Sequence, residues 1–116
     1  MASPGFGLIG TGFIGRHLIE SLADYYDVIA LARSSQSHCG VGPHPNLSWL
    51  QTDLCDREAV ARSFRRIREA GGADFVVHLA AYYDFTGDEH VEYQRTNVEG
   101  TRTLLEACDG LGLERF

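Results

Sequence analysis

The sequence predicts an α/β domain in which a parallel sheet of order 3-2-1-4, with the start of a fifth strand, carries helices on both faces. Three observations predict it. Short apolar runs alternate with stretches whose apolar residues recur at helical spacing, the pattern of strand–helix–strand units. Crossovers between parallel strands are right-handed, so the first helix, carrying strand one to strand two, and the second, returning from strand three to strand four the other way across the sheet, must cover opposite faces. Three glycines, Gly10, Gly12 and Gly15, stand at G-x-G-x-x-G spacing between the first run and the first helix.

Each element can be justified in order. Gly5 to Ile9 reads as a short buried strand. A helix follows from Gly12, with Ile14, Leu18 and Leu22 on one face at i, i+4, i+8, and Asp24 to Asp27 ends it. Val28 to Leu31 is the second strand. Arg33 to Asn46 is too broken by Ser, Gly, Pro and His for a helix, and reads as a loop. Leu47 to Leu50 is the third strand. Asp56 is suited to cap the next helix, whose buried stripe is Val60, Phe64 and Ile67 and whose stop is Gly71-Gly72. Phe75 to Leu79 is the fourth strand. A long helix is expected from about Glu89 to Cys108, with Val91, Val98, Thr101, Leu105 and Cys108 inward, ended by Gly110 and Gly112. Arg115-Phe116 is where a fifth strand should begin.

The 116 residues suffice for one domain with a core, expected to be a single unit over 1–116. A net charge of -6 argues against general affinity for nucleic acid or an anionic membrane surface. No apolar run approaches the roughly 18 residues of a membrane span, and the first residues carry no signal-peptide pattern. Cys39, Cys55 and Cys108 are odd in number and scattered. They read as reduced thiols, and a cytoplasmic location is expected.

At a strand-to-helix junction, the first glycine allows a tight turn and the second lets backbone approach a pyrophosphate. The third lets helix and strand pack closely. Backbone N–H groups of Phe13 and Ile14 then face the anion, aided by the helix dipole. A plain flexible turn is the competing reading. A dinucleotide site also needs a ribose selector at the end of the second strand, about 20 residues on. An acid there would take a 2′-hydroxyl; this chain offers Arg33, followed by Ser34 and Ser35. A guanidinium suits a 2′-phosphate, which favours NADP over NAD. Arg33 as a solvated loop cation is the alternative.

The blocks "GTGFIGRHL", "TDLCD", "VVHLAA" and "NVEGTRTLLEAC" stand in order along the chain. Together they resemble the extended short-chain dehydrogenase/reductases, the NAD-dependent epimerase/dehydratase group, whose nucleotide domain is Rossmann-type. The resemblance implies that Gly10, Gly12 and Gly15 wrap the pyrophosphate. It implies that Asp53 contacts the adenine amino group, helped by the backbone of Leu54. Leu79, Ala80 and Ala81 would lie along the cofactor, and Asn97 would brace it.

Two departures stand out. The usual T-G-x-x-G-x-x-G has Ile9 where its first glycine belongs, and the glycine has moved to Gly10. The group's Tyr-x-x-x-Lys pair cannot be present, because all ten basic residues are Arg. The Tyr of that pair is the acid/base, and the Lys lowers its pKa. No catalytic residue is therefore assigned. The expectation is an N-terminal nucleotide-binding part of a longer enzyme that acts on a small alcohol or carbonyl substrate. A non-enzymatic NADP-binding module, or an inactive shortened product, is the rival. An open sheet edge beside the fourth strand suggests a marginally stable chain and a homodimer.

Other residues have plainer readings. Tyr82, Tyr83, Asp84 and Phe85 follow the fourth strand and either line a substrate mouth or pack over the sheet edge. His38, Cys39 and His44 match no strong zinc spacing, and no metal site is expected. His78 reads as a hydrogen-bonded core histidine, Tyr93 as helix packing, and Arg62, Arg65, Arg66 and Arg68 as a solvated helix face.

Overall fold

The computed structural model of the chain describes residues 5–9, 13–80 and 90–116. Its described strands are β1 (Gly5–Ile9), β2 (Asp27–Ala32), β3 (Leu47–Gln51) and β4 (Phe75–His78). They form one parallel sheet in the order β3-β2-β1-β4, the order the crossover argument requires. Arg115 pairs in parallel with Phe75 on the outer side of β4, and Val76 N–H donates to Arg115 O at 3.1 Å. The expected fifth strand therefore begins where the sequence places it.

Side chains alternate between the two faces of β2, as the pleat demands. Val28 and Ala30 meet Ile19 and Ala23 of helix α1 (Phe13–Leu22) and the residue that follows it. Leu31 points the other way, into a cluster with Val60, Phe64 and Ile67 of helix α2 (Arg57–Glu69) and Leu104 and Cys108 of helix α3 (Thr101–Cys108). Helices on both faces bury the sheet, and each apolar side chain taken fully out of water contributes about 1.5–3 kcal/mol.

Helix α2 follows its sequence signals closely. Asp56 Oδ1 accepts the N–H groups of Glu58 and Ala59, both at 3.1 Å. The helix ends where Gly71 and Gly72 take positive φ, 112° and 85°, and Gly72 N–H reaches back to Ile67 O at 2.8 Å. Only glycine enters that left-handed region without strain.

Two helix faces differ from expectation. Ile14 is 66 % exposed; the buried stripe of α1 is Gly15, Ile19 and then Ala23, with Leu18 and Leu22 half-buried. In the long helix, Val91, Val98 and Leu105 are exposed by 71, 43 and 49 %, while Gly100, Thr103, Leu104 and Cys108 are buried. The cause is a π-helical stretch, Tyr93–Gly100, directly before α3. Its wider turn breaks the 3.6-residue count, which places Cys108 correctly and Val91, Val98 and Leu105 wrongly.

Arg68 departs from a merely solvated role. Its Nη2 donates to Ala107 O at 2.9 Å and Asp109 O at 3.2 Å, which satisfies carbonyls at the end of α3. Arg57, at the start of α2, joins Glu106 at 2.6 Å and adds a second tie to the last turn of α3.

Candidate functional site

The chain's order in the sheet creates a crevice. At the carboxyl ends of the adjacent strands β1 and β4 the chain leaves in opposite senses, from β1 through α1 on one face of the sheet and from β4 toward α3 on the other, and open sheets bind ligands at such a switch point. The backbone of β1 runs toward α1, whose first described residue is Phe13. Gly15 is buried in the first turn and Ile14 projects outward. Gly10 and Gly12 lie outside the described residues, as do Ala81 and the Tyr82–Phe85 group.

Arg33 directly follows β2 and its side chain is exposed. Its backbone is held by β3: Gln51 Nε2 donates to Arg33 O at 3.1 Å, and Trp49 Nε1 donates to Ser34 O at 3.0 Å. Thr52 N–H also reaches Ala32 O at 2.7 Å. The loop therefore leaves β2 in a fixed direction with the guanidinium at the rim. Ser35 Oγ is committed within the loop, accepting from His38 N–H at 3.3 Å.

Asp53 stands in the turn after β3 and is half-buried. Its Oδ1 accepts Cys55 N–H at 2.9 Å, and its carbonyl accepts Asp56 N–H at 3.0 Å, so the carboxylate shapes the turn that starts α2. Leu54, the next residue, is buried against Gly100. Leu79 and Ala80 follow β4; Leu79 is partly exposed and Ala80 packs on the core. Asn97 is half-buried in the π-helical stretch. Asp53 and Leu54 are thereby brought onto the π-helical stretch, while Arg33 stands at the neighbouring strand end.

Arg95 is a neighbour that the sequence did not suggest. It pairs with Glu92 at 3.1 Å, and its pKa is raised by Glu92 first, then by Cys55, with Asp53 contributing. The i, i+3 spacing of Glu92 and Arg95 signals their pairing, but nothing local reveals that the helix will lie beside the turn after β3. Cys55 Sγ lies 3.6 Å from Thr96 Oγ1 and contacts Arg95 O at 3.8 Å, which docks that turn against the π-helical stretch.

His78, at the end of β4, is only half satisfied. Its Nε2 lies 3.0 Å from Thr101 Oγ1, but Nδ1 is buried without a partner among the described residues. Burial lowers its pKa below the ordinary 6.5. His44 is engaged structurally: its Nε2 meets Asp24 Oδ1 at 2.9 Å and its Nδ1 accepts Asn46 N–H at 3.0 Å, which assigns the ring proton to Nε2.

Comparison with known proteins agrees with this architecture. A dTDP-glucose 4,6-dehydratase of Neisseria gonorrhoeae is 36 % identical over 108 residues, covering 85 % of this chain and 30 % of that protein. The UDP-glucose 4-epimerase of Thermus thermophilus, solved in complex with NAD, superposes with a TM-score of 0.75 at 31 % identity, over 95 % of this chain and 35 % of that one. An epimerase of Methanothermobacter thermautotrophicus gives a TM-score of 0.82 at 27 % identity, over 99 % and 34 %. The chain thus spans about a third of the length of these relatives. The profile of the NAD dependent epimerase/dehydratase family matches residues 10–116. With a Rossmann-type sheet in the order β3-β2-β1-β4 and that match over nearly its whole length, the chain belongs to the NAD-dependent epimerase/dehydratase family.

Proposed function

We propose that this chain is the dinucleotide-binding portion of an extended short-chain dehydrogenase/reductase that prefers NADP(H) and acts at an alcohol or carbonyl carbon. The observation that carries the cofactor preference is Arg33, exposed at the end of β2 where a 2′-hydroxyl reader would be acidic. The residues present fit such a cofactor. Gly15 is buried in the first turn of α1, so no side chain intrudes there, and the helix start offers N–H groups to a pyrophosphate. Asp53 Oδ1 is occupied by Cys55 N–H, which leaves Oδ2 for an adenine amino group, with Leu54 backbone beside it. Leu79, Ala80 and Ala81 would flank the nicotinamide half, with Asn97 behind, and Gly10 and Gly12 would complete the phosphate loop.

When bound, the nicotinamide supplies or accepts hydride. The chain itself contains no Lys, hence no Tyr-x-x-x-Lys pair. Its own contribution is binding and orientation, and NADPH oxidation over a panel of carbonyl compounds should give no turnover. A homodimer belongs to the same reading, supported by the exposed apolar side chains Val91, Val98 and Leu105; sedimentation velocity tests it. A cytoplasmic setting is supported by the odd, scattered set Cys39, Cys55 and Cys108, which reads as reduced thiols. Among the described residues no helix is long and apolar enough to cross a membrane.

Isothermal titration with NADPH and NADH tests the central reading. Saturable binding of both, tighter for NADPH, is expected. Absence of binding by either at millimolar ligand would remove the reading, and tighter NADH would reverse the cofactor choice.

A further inference from the structure

Strand β3 is the outer strand of the sheet and pairs with β2 on one side only. Its five residues, LSWLQ, include no charge and no proline, the usual devices that keep an edge from pairing with another chain. The ladder fixes which backbone groups are left over. Asn46 O accepts Val28 N–H at 2.8 Å, and Thr52 N–H donates to Ala32 O at 2.7 Å. Backbone groups alternate sides along a strand, so the even-numbered residues from 46 to 52 face β2. The N–H and C=O groups of Trp49 and Gln51 then face outward, with Leu47 O beside them, and none has a partner among the described residues. Leu47 N–H is already taken by His44 O at 3.0 Å.

Beside this edge, on the face that α2 covers, lies a cleft of about 390 Å³ floored by Ile29, Leu50 and Ile67. Arg66 and Glu69 stand at its rim, both exposed. Neither takes part in an ion pair among the described residues, whereas Arg57, Arg95 and Arg102 each hold a glutamate. Opposite charges left unpaired side by side are self-complementary, because a two-fold axis lays each Arg66 against the partner's Glu69. The edge has the same property. An antiparallel pair centred on Trp49 sets the two Trp49 residues opposite each other and each Ser48 opposite the partner's Leu50. A foreign strand would satisfy the edge alone; a second copy satisfies the edge, the cleft and both charges in one operation.

We propose that β3 is a dimerisation edge, at which two copies of this chain join their sheets through antiparallel β3 strands about an axis at Trp49, with each Arg66 paired to the partner's Glu69. The contact uses the same surface on both copies, so it closes at the dimer and leaves no free β3 edge. It lies at the opposite side of the sheet from β4, is separate from the helix face of Val91, Val98 and Leu105, and does not depend on nucleotide binding.

Sedimentation velocity over a concentration series tests it, with circular dichroism to establish that each variant is folded. Ser48 is exposed, so S48K spares the monomer while setting a charge opposite the partner's Leu50. S48K, R66E and E69R should each weaken the dimer roughly tenfold, and R66E combined with E69R should restore it, because both ion pairs re-form with their signs exchanged. V98E should leave the dimer intact. Amide exchange at Trp49 and Gln51 should slow as the dimer forms. A chain that stays monomeric throughout overturns the inference. So does a dimer that S48K leaves intact and V98E abolishes, which would place the contact on the helix face. A double charge exchange no tighter than the single ones overturns the two-fold register. Nucleotide binding is read separately by the titrations with NADPH and NADH, so either conclusion can fail alone.

Discussion

Gly100 abuts Leu54 so closely that a β-carbon on the glycine would lie 3.2 Å from both Cγ and Cδ2 of the leucine. The contact joins the turn after β3 to the π-helical stretch, and it is the place where the two halves of the candidate site are registered. Gly100→Val should force Leu54, itself buried, to move and should destabilise the chain by about 1–3 kcal/mol. Urea denaturation measures it. An unchanged midpoint would show that the leucine can yield at no cost.

Phe64 is 1 % exposed and sits at the centre of the cluster between α2, α3 and the sheet. Phe64→Ala removes a ring and leaves a cavity, at a cost of about 3–5 kcal/mol. Small domains are stable by about 5–15 kcal/mol, so this one substitution should bring the chain near its unfolding threshold at room temperature. Thermal denaturation followed by circular dichroism should show a large fall in Tm or no cooperative transition.

Asp56 accepts two backbone N–H groups at the start of α2. Asp56→Ala should cost about 0.5–2 kcal/mol, while Asp56→Asn, which keeps the acceptor oxygen, should cost much less. Comparing the two by urea denaturation separates the hydrogen bond from the charge near the helix dipole.

His78 gives the chain a pH dependence with a definite sign. Desolvation holds its folded pKa below the unfolded 6.5, so below that value the unfolded state binds more protons than the folded one. The contribution of neutral His78 is complete above pH 6.5 and is lost as pH falls from 6.5 toward the folded pKa. Urea titrations from pH 8 down to 5 should show stability declining in that window, and His78→Gln should flatten the decline. An identical slope in the variant would assign the effect elsewhere.

Much of this architecture was legible in the residues because its determinants are local. Asp56 before an apolar stripe, Gly71-Gly72 after it, and short apolar runs separated by one crossover each are enough to order the sheet. The phase of the other two helices was legible only in part: Leu18, Leu22 and Cys108 meet the core as expected, and Ile14 does not. Val91, Val98 and Leu105 repeat every seven residues and suggest one inward face, yet all three are exposed, and the chain passes through a π-helical stretch among them. Gly100, read as an ordinary member of a helical block, turns out to be the contact point for Leu54. Such features depend on what packs across the fold, as does Arg68 at the end of α3. For the candidate site, sequence marks the strand ends, but the docking of Cys55 against Thr96 joins positions far apart in the chain.

Trp49 offers an experimental convenience. It is the chain's one tryptophan, and its indole N–H is anchored to Ser34 O, one residue from Arg33. Its emission therefore reports from the corner where cofactor choice is proposed to occur, without any introduced label. Reduced nicotinamides absorb where indoles emit, so quenching by energy transfer would make this protein its own optical gauge of nucleotide occupancy.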